Sequence, residues 1–421
     1  MKKIIVLFSF IICFQTTITK SDHFEAKAEH AIAVEANTGK ILYEKDATTP
    51  DAIASITKIL TVYMVYQEID KGNLTWDTEI DISDYPYHLT VNPEASNVPM
   101  EARKYTVRDL VNAAMVASAN SAAIALAEHI GGSEPKFVDM MSQQLKDWGI
   151  KDAKLVNASG LNNEVLGDNI YPGSKKTDEN MMSAKDVAII AQHLINDFPD
   201  VLNYSKKTSK NFDGVEMITS NKLLLEKENP YGIDGLKTGT TELAGASIVS
   251  TSNKNNMRVI SVILNADNGT EIDNARFDAT KDLLNYIYNH FDFVKAISKN
   301  QTYQDKSVRI SSSILKNISP IANSDFYIVK PKNEEYVNFS FNPQKTSINA
   351  PIKKGQNLAT ITFQDNYKIG DGYLSHPPSI AMVSPQDIDK NTIIEISIFH
   401  MKQVFNNIKL KYHHIQEEYF K

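Results

Sequence analysis

A hydroxyl and an amine stand three residues apart in Ser55-Ile56-Thr57-Lys58. On a helix that spacing puts both on one face, about a turn apart. A serine hydroxyl is a poor nucleophile until a nearby base takes its proton, and a lysine can be that base if its ammonium is destabilised. Desolvation or a second nearby cation does this. The first turn of a helix adds unpaired backbone N–H groups and a dipole that favours developing negative charge. The spacing alone is cheap, because Ser133-Glu134-Pro135-Lys136 and Ser313-Ile314-Leu315-Lys316 share it, and Ser133 reads as an ordinary N-cap. Ser118-Ala119-Asn120 is equally cheap, with Ser-x-Asn repeated at Ser209, Ser298 and Ser347, whereas Lys237-Thr238-Gly239 occurs once. Other chemistries lack their residues. There is no Gly-x-Ser-x-Gly elbow, no His-Glu-x-x-His and no phosphate loop. The ten histidines form no cluster at metal-ligand spacing, and the adjacent His413 and His414 would point to different sides of a helix. Neither zinc catalysis nor a Ser-His-Asp triad fits, and no metal or cofactor is expected.

The elements that must position these groups can be read from periodicity. Ile59, Val62, Tyr63, Val65 and Tyr66, followed by Gly72, fit a helix that Ser55 heads. Thr106-x-x-Asp109 predicts a capping box opening a helix through Ala117. Ser118 to Ser121 then interrupts it with three poor helix formers in four positions, before a second helix runs to Gly131-Gly132. Glu134 to Trp148 reads as a further helix, ended by Gly149. His30 to Glu44 is a hairpin around Asn37-Thr38-Gly39-Lys40. Ala246–Ser252 and Val259–Leu264 are strands flanking a second hairpin signal, and Phe277–His290 is a closing helix. Ser55 therefore heads a helix, Ser118 sits at an interhelix turn and Lys237 precedes a strand. Beyond about residue 295 alternating runs are separated by turn residues, and seven of the fifteen prolines follow residue 300, which predicts a small all-β module.

The 421 residues suffice for two or three domains, and a 42% apolar, 23% charged composition is that of a globular protein. A net charge of −7 argues against a nucleic-acid partner, since no excess of cations is available for phosphates. Lys2-Lys3 precede an apolar run from Ile4 to Phe14 that is too short to span a bilayer, which reads as a secretory signal peptide on an exported protein. Cleavage after Thr19 and after Ala28 both remain open, giving a leader within 1–28. The single cysteine, Cys13, lies in that run, so the mature chain would carry no thiol.

Order and spacing give the motifs weight: sixty residues separate Lys58 from Ser118, and 117 separate Asn120 from Lys237. In this the chain resembles the serine β-lactamase and penicillin-binding superfamily, and more closely its low-molecular-mass D-alanyl-D-alanine carboxypeptidases. The likeness extends to Thr38-Gly39-Lys40-Ile41-Leu42-Tyr43, Asn157-Ala158-Ser159-Gly160-Leu161, Asn221-Lys222-Leu223-Leu224 and Asp234-Gly235-Leu236. The resemblance implies an α/β (α+β) catalytic domain over 29–292 with an antiparallel sheet and helices, an all-β domain over 298–392 and an amphipathic helix over 393–421. It implies Ser55 as the acylated nucleophile and Lys58 as its base. Ser118 would relay a proton to the leaving group, and Asn120 would position the substrate backbone. Lys237, Thr238, Gly239 and Thr240 would line the substrate, with the N–H groups of Ser55 and Thr240 as oxyanion hole. Arg276 falls where relatives carry an arginine near the substrate carboxylate. The substrate would be a peptidoglycan stem peptide ending in D-Ala–D-Ala, with β-lactams as acylating inhibitors.

Two departures stand out. Ile53-Ala54-Ser55 replaces the usual Pro-Ala-Ser, implying a small shift in how the chain enters the helix, and Thr240 stands where several relatives have histidine. Transpeptidation shares every motif and stays open. A β-lactamase fits less well, because Glu164-Val165-Leu166-Gly167 lacks the Glu-x-x-Leu-Asn pattern of class A enzymes, and a catalytically dead peptidoglycan-binding protein conflicts with the intact motif set. At the C-terminus Ile394, Ile398, Met401, Phe405, Ile408, Tyr412, Ile415 and Tyr419 recur at steps of four and three, with Lys402, Lys409 and Lys411 between them. That pattern suits a helix lying on an anionic membrane surface, and the resemblance places the protein at the outer face of the cytoplasmic membrane.

Overall fold

The computed structural model describes residues 24–269, 272 and 274–419. The leader up to residue 23 lies outside them. An antiparallel sheet of five strands organises the first domain: β1 (Ala28–Glu35), β2 (Ile41–Lys45), then β4 (Ile233–Thr241), β5 (Gly245–Lys254) and β6 (Met257–Ala266), in the order β2-β1-β6-β5-β4. The short β3 (Asp51–Ala52) lies apart, paired with Met181–Met182. Strand periodicity sorts the side chains. Ile32 and Val34 of β1 and Ile260 and Val262 of β6 face one layer, while Ala31, Ala33, Val259 and Ile263 face the other. Both faces are covered, so β1 reads as a continuous apolar run rather than an alternating one.

Helix α1 (Lys58–Asp70) is buried on every side from Lys58 to Tyr66, and an all-round apolar sequence has nowhere else to go. Around it pack α2 (Val107–Val116), α3 (Asn120–Gly131), α4 (Glu134–Asp147) and α5 (Ala184–Asp197). Helix α6 (Ala275–His290) covers the opposite face of the sheet through Phe277, Leu283, Leu284 and Ile287.

The ends of these elements differ in detail from expectation. Thr106 caps α2 by accepting from the Asp109 N–H at 3.1 Å, but the Asp109 carboxylate takes the Thr106 hydroxyl at 2.6 Å, a local pairing in place of a reciprocal box. A complete capping box is instead formed by Ser183 and Asp186 at α5. Ser133 occupies the N-cap position of α4, yet its hydroxyl makes no capping bond. The second hairpin turn shrinks to Asn255-Asn256, with φ of 54° and 62°, as the strands' twist requires.

No linker separates α6 from the second domain, whose first strand, Phe291–Ile297, pairs with Phe326–Pro331. The remaining strands form a four-stranded sheet and a three-stranded one around Ile310, Ile328, Leu358, Ile361 and Met382. A loop from this domain returns to the first. Lys40, fully buried, donates to the Asp365 carboxylate and to Tyr367 O (3.0 Å), while Tyr373 donates to the same carboxylate at 2.9 Å. Helix α7 (Ile393–Tyr419) closes the chain, opened by a Thr392–Glu395 capping box.

Candidate active site

The nucleophile candidate lies where the sheet meets α1. Ser55 sits, half-buried, in a 3-10 turn over Ala54–Thr57 that feeds directly into α1, so Lys58 is the first α-helical residue. Two glycines shape this turn. Gly160 has φ +82°, and a Cβ there would lie 1.8 Å from Ala54 O; at Gly239 a Cβ would lie 2.6 Å from Ile53 O. The turn is thus held between β4 and the loop 157–160, with only backbone thickness to spare.

Lys58 is fully buried, and its Nζ has three neighbours: Ser55 Oγ at 2.8 Å, Asn120 Oδ1 at 2.7 Å and Ser159 O at 2.7 Å. Burial, and then the charge of Lys237, hold its ammonium well below the usual lysine range. A neutral amine has two N–H groups and one lone pair. The Asn120 and Ser159 oxygens can only accept, so the N–H groups go to them and the lone pair faces the Ser55 hydroxyl.

Ser118 takes φ +58° at the break between α2 and α3, so the interruption read from the sequence is a sharp turn that presents the hydroxyl. Its Oγ accepts from Lys237 Nζ at 2.9 Å, and the same ammonium donates to Thr238 O at 3.0 Å. Burial, and then Arg276, bring Lys237 down to about 7. Asn120 is fixed by Nδ2 donating to Ser96 O at 2.8 Å. Thr238 Oγ1 lies 2.6 Å from Ser220 Oγ, and Thr240 is exposed on β4, the edge strand beside the Ser55 turn. Arg276, in the first turn of α6, donates through Nη1 to Gly239 O (2.7 Å) and Ser247 O (3.0 Å), which ties it to the strands below Lys237.

Sequence reasoning missed the shell behind Lys58. Ser159 contributes a backbone carbonyl, which no residue letter announces. Asn157 Oδ1 accepts from Gly160 N at 2.6 Å, and Asn180 spans Val156 N (2.6 Å) and Thr57 Oγ1 (3.0 Å). Glu134, buried at the start of α4 and pushed up to about 7 by burial, accepts from Ala158 N at 2.9 Å. Thr61 Oγ1 donates to Ala158 O at 2.6 Å. Asn-Ala-Ser-Gly, a loop-type sequence rich in side-chain acceptors, was the available signal.

A serine paired with a buried lysine, a second serine–lysine pair and an edge strand beside them define a serine acyl-enzyme hydrolase of the penicillin-binding class. The chain matches the family model described as D-alanyl-D-alanine carboxypeptidase over residues 15–268, and that described as penicillin-binding protein 5, C-terminal domain, over 291–390. It belongs to the D-alanyl-D-alanine carboxypeptidase family and is a serine-type, penicillin-binding D-Ala–D-Ala carboxypeptidase acting in peptidoglycan metabolism. It is similar to carboxypeptidase DacF of Bacillus subtilis (strain 168), 28% identical over 353 residues that span 82% of this chain and 83% of that protein. DacA of Escherichia coli (strain K12) is 25% identical over 392 residues, 92% of this chain and 88% of its own. Among solved structures, a peptidoglycan synthesis regulatory factor (PBP3) from Streptococcus pneumoniae is 49% identical with a TM-score of 0.81, covering 87% of this chain and all (100%) of that one. Ampicillin-bound penicillin-binding protein D2 from Listeria monocytogenes is 29% identical over 63% of this chain and 98% of that one, with a TM-score of 0.53.

Proposed function

We propose that Ser55 attacks the carbonyl of the penultimate D-Ala in a stem pentapeptide while Lys58 Nζ takes its proton. The observation that carries this is the 2.8 Å contact between Ser55 Oγ and a lysine whose burial favours the neutral amine. The N–H groups of Ser55 and Thr240 stabilise the oxyanion, each such donor being worth about 10²–10³ in rate. Ser118 passes a proton to the departing amine of D-Ala, and Lys237 with Thr238 holds the substrate's terminal carboxylate. Gly239 lets the strand lie close, and Arg276 sustains the positive field. Asn120 serves both Lys58 and the substrate backbone. Water then resolves the acyl-enzyme; β-lactams acylate the same serine.

The protein acts, on this reading, after export. Of the two cleavage points, that after Thr19 spares Ala26, whose N–H donates to Tyr43 Oη at 2.9 Å, and Ala28, whose strand register with Ala266 opens β1. The exposed apolar face of α7 then rests on the membrane surface. The test is mass spectrometry of the protein with a D-Ala–D-Ala pentapeptide, with and without an acceptor amine. A tetrapeptidyl adduct on Ser55 and free D-Ala are expected, with both absent in Ser55→Ala. An adduct that persists in Ser55→Ala overturns the assignment.

A further inference from the structure

A second chemical cluster sits three residues upstream of the nucleophile turn. Glu29 and His30 on β1 and Asp51 on β3 each bring a ligand atom within 4.8 Å of the others. The His30 ring is almost wholly buried. Its Nδ1 faces Asp46 O at 2.8 Å and Asp46 Oδ2 at 3.1 Å, both acceptors, so Nδ1 carries a proton and Nε2 is the ring atom turned towards Asp51. Asp51 Oδ2 lies 3.8 Å away, too far for a hydrogen bond, and is sealed from solvent without a hydrogen-bond partner, while its Oδ1 accepts from Ala52 N at 2.7 Å. A ring nitrogen and a carboxylate oxygen therefore face each other across a gap wider than a hydrogen bond, with Glu29 at its rim.

We propose that Glu29, His30 and Asp51 form a divalent transition-metal site, taking Zn²⁺, that clips β1 to β3. Ligand atoms around tetrahedral zinc stand about 3.3–3.6 Å apart, so the pair needs to close only slightly. Imidazole with two carboxylates suits zinc and disfavours calcium, and a ligating histidine whose other ring nitrogen donates to a backbone carbonyl is the arrangement such sites use. The role is structural: β3 runs straight into Ile53 and the Ser55 turn, so the ion would pin the approach to the nucleophile and take no part in acyl transfer. Asp51 lies 21 residues beyond His30 in sequence, which is why no motif spacing reveals the set.

The experiment uses the mature chain stripped with a chelator and titrated with ZnSO₄ by calorimetry, and with Co²⁺ by visible absorption. One equivalent of Zn²⁺ is expected, with a higher melting temperature, four-coordinate Co²⁺ bands and no response to Ca²⁺. Glu29→Gln, at an exposed position that folding tolerates, and Asp51→Asn should each weaken binding more than about tenfold. His30→Gln should abolish the Co²⁺ bands. Stoichiometric binding unchanged in Glu29→Gln and Asp51→Asn would assign the metal to surface histidines and overturn the site. Absence of binding in the wild-type chain would do the same, leaving His30 as a ring held by the carbonyl and carboxylate of Asp46.

Discussion

At the scale of single residues, the two buried lysines beside Ser55 and Ser118 have different surroundings. In the proposed mechanism Lys58, held well below its usual range, serves as the base, whereas Lys237, at about 7, is poised between charged and neutral. The sign is clear on the alkaline side. The lowered range of Lys58 makes its free amine available, and as pH passes about 7, Lys237 loses its charge and its hold on the substrate carboxylate, and kcat/KM falls. A bound carboxylate favours the ammonium, so the alkaline limb of kcat should lie at higher pH than that of kcat/KM. Lys237→Arg should move the alkaline limb beyond the measurable range, because guanidinium does not titrate there. If wild type and Lys237→Arg share the same alkaline limb, another group controls it. Lys58→Ala should abolish penicillin acylation as fully as Ser55→Ala, because members of a catalytic unit are not additive. Acylation of Lys58→Ala near the wild-type rate would end the serine–lysine assignment.

At the scale of elements, what holds the site is a set of turns pressed against one another. Gly160→Ala drives a Cβ into Ala54 O at a position with positive φ, and should cost at least about 2 kcal/mol and most of the acylation rate. Ser133→Ala, by contrast, loses no capping bond and should change stability by less than about 0.5 kcal/mol, where a working cap costs about 0.5–2. Chemical denaturation of the two variants distinguishes a structural turn from a decorative one, and a large loss at Ser133 would show a bond that the fold does not display. The same contrast explains what was legible in advance. That Ser55, Lys58, Ser118, Asn120 and Lys237 gather in one place could be read, because side-chain chemistry and spacing are written in the residues. The helix break at Ser118 could be read because poor helix formers cluster there. The carbonyl of Ser159 could not, being backbone, nor could Asn180 and Glu134, which reach the loop 157–160 only through tertiary packing. The cap at Thr106 could be read, but not that its reciprocal half fails where that of Ser183 and Asp186 forms, because only the rotamer of the acid decides.

At the scale of the molecule, the catalytic domain is tied to the β domain by a buried charge, and the chain closes with an exposed helix. Lys40→Met strands the Asp365 carboxylate in the interior and should cost about 3–5 kcal/mol, with the double variant Lys40→Met, Asp365→Leu losing less. A double variant as unstable as the sum of the two singles would show that the pair is not coupled. Helix α7 poses the opposite problem, apolar surface with no protein to cover it. Phe405 is 72% exposed, Ile408 59% and Ile415 52%, and Lys402, Lys409 and Lys411 lie among them. Among the described residues no helix is long and apolar enough to cross a membrane. A face of this kind lowers its free energy by lying in a bilayer interface, with lysines against anionic headgroups, or by pairing with another copy of itself. A chain ending at Thr392 should stay folded and still form the Ser55 acyl-enzyme, since among the described residues none of α7 enters the core of either domain. It should fail to sediment with anionic vesicles that retain the full mature chain, and salt should weaken that retention. Equal partitioning of the two chains would place the membrane contact elsewhere. Self-association of the full chain without vesicles, lost on truncation, would make α7 an oligomer seam instead, and unfolding of the truncated chain would make it part of the core.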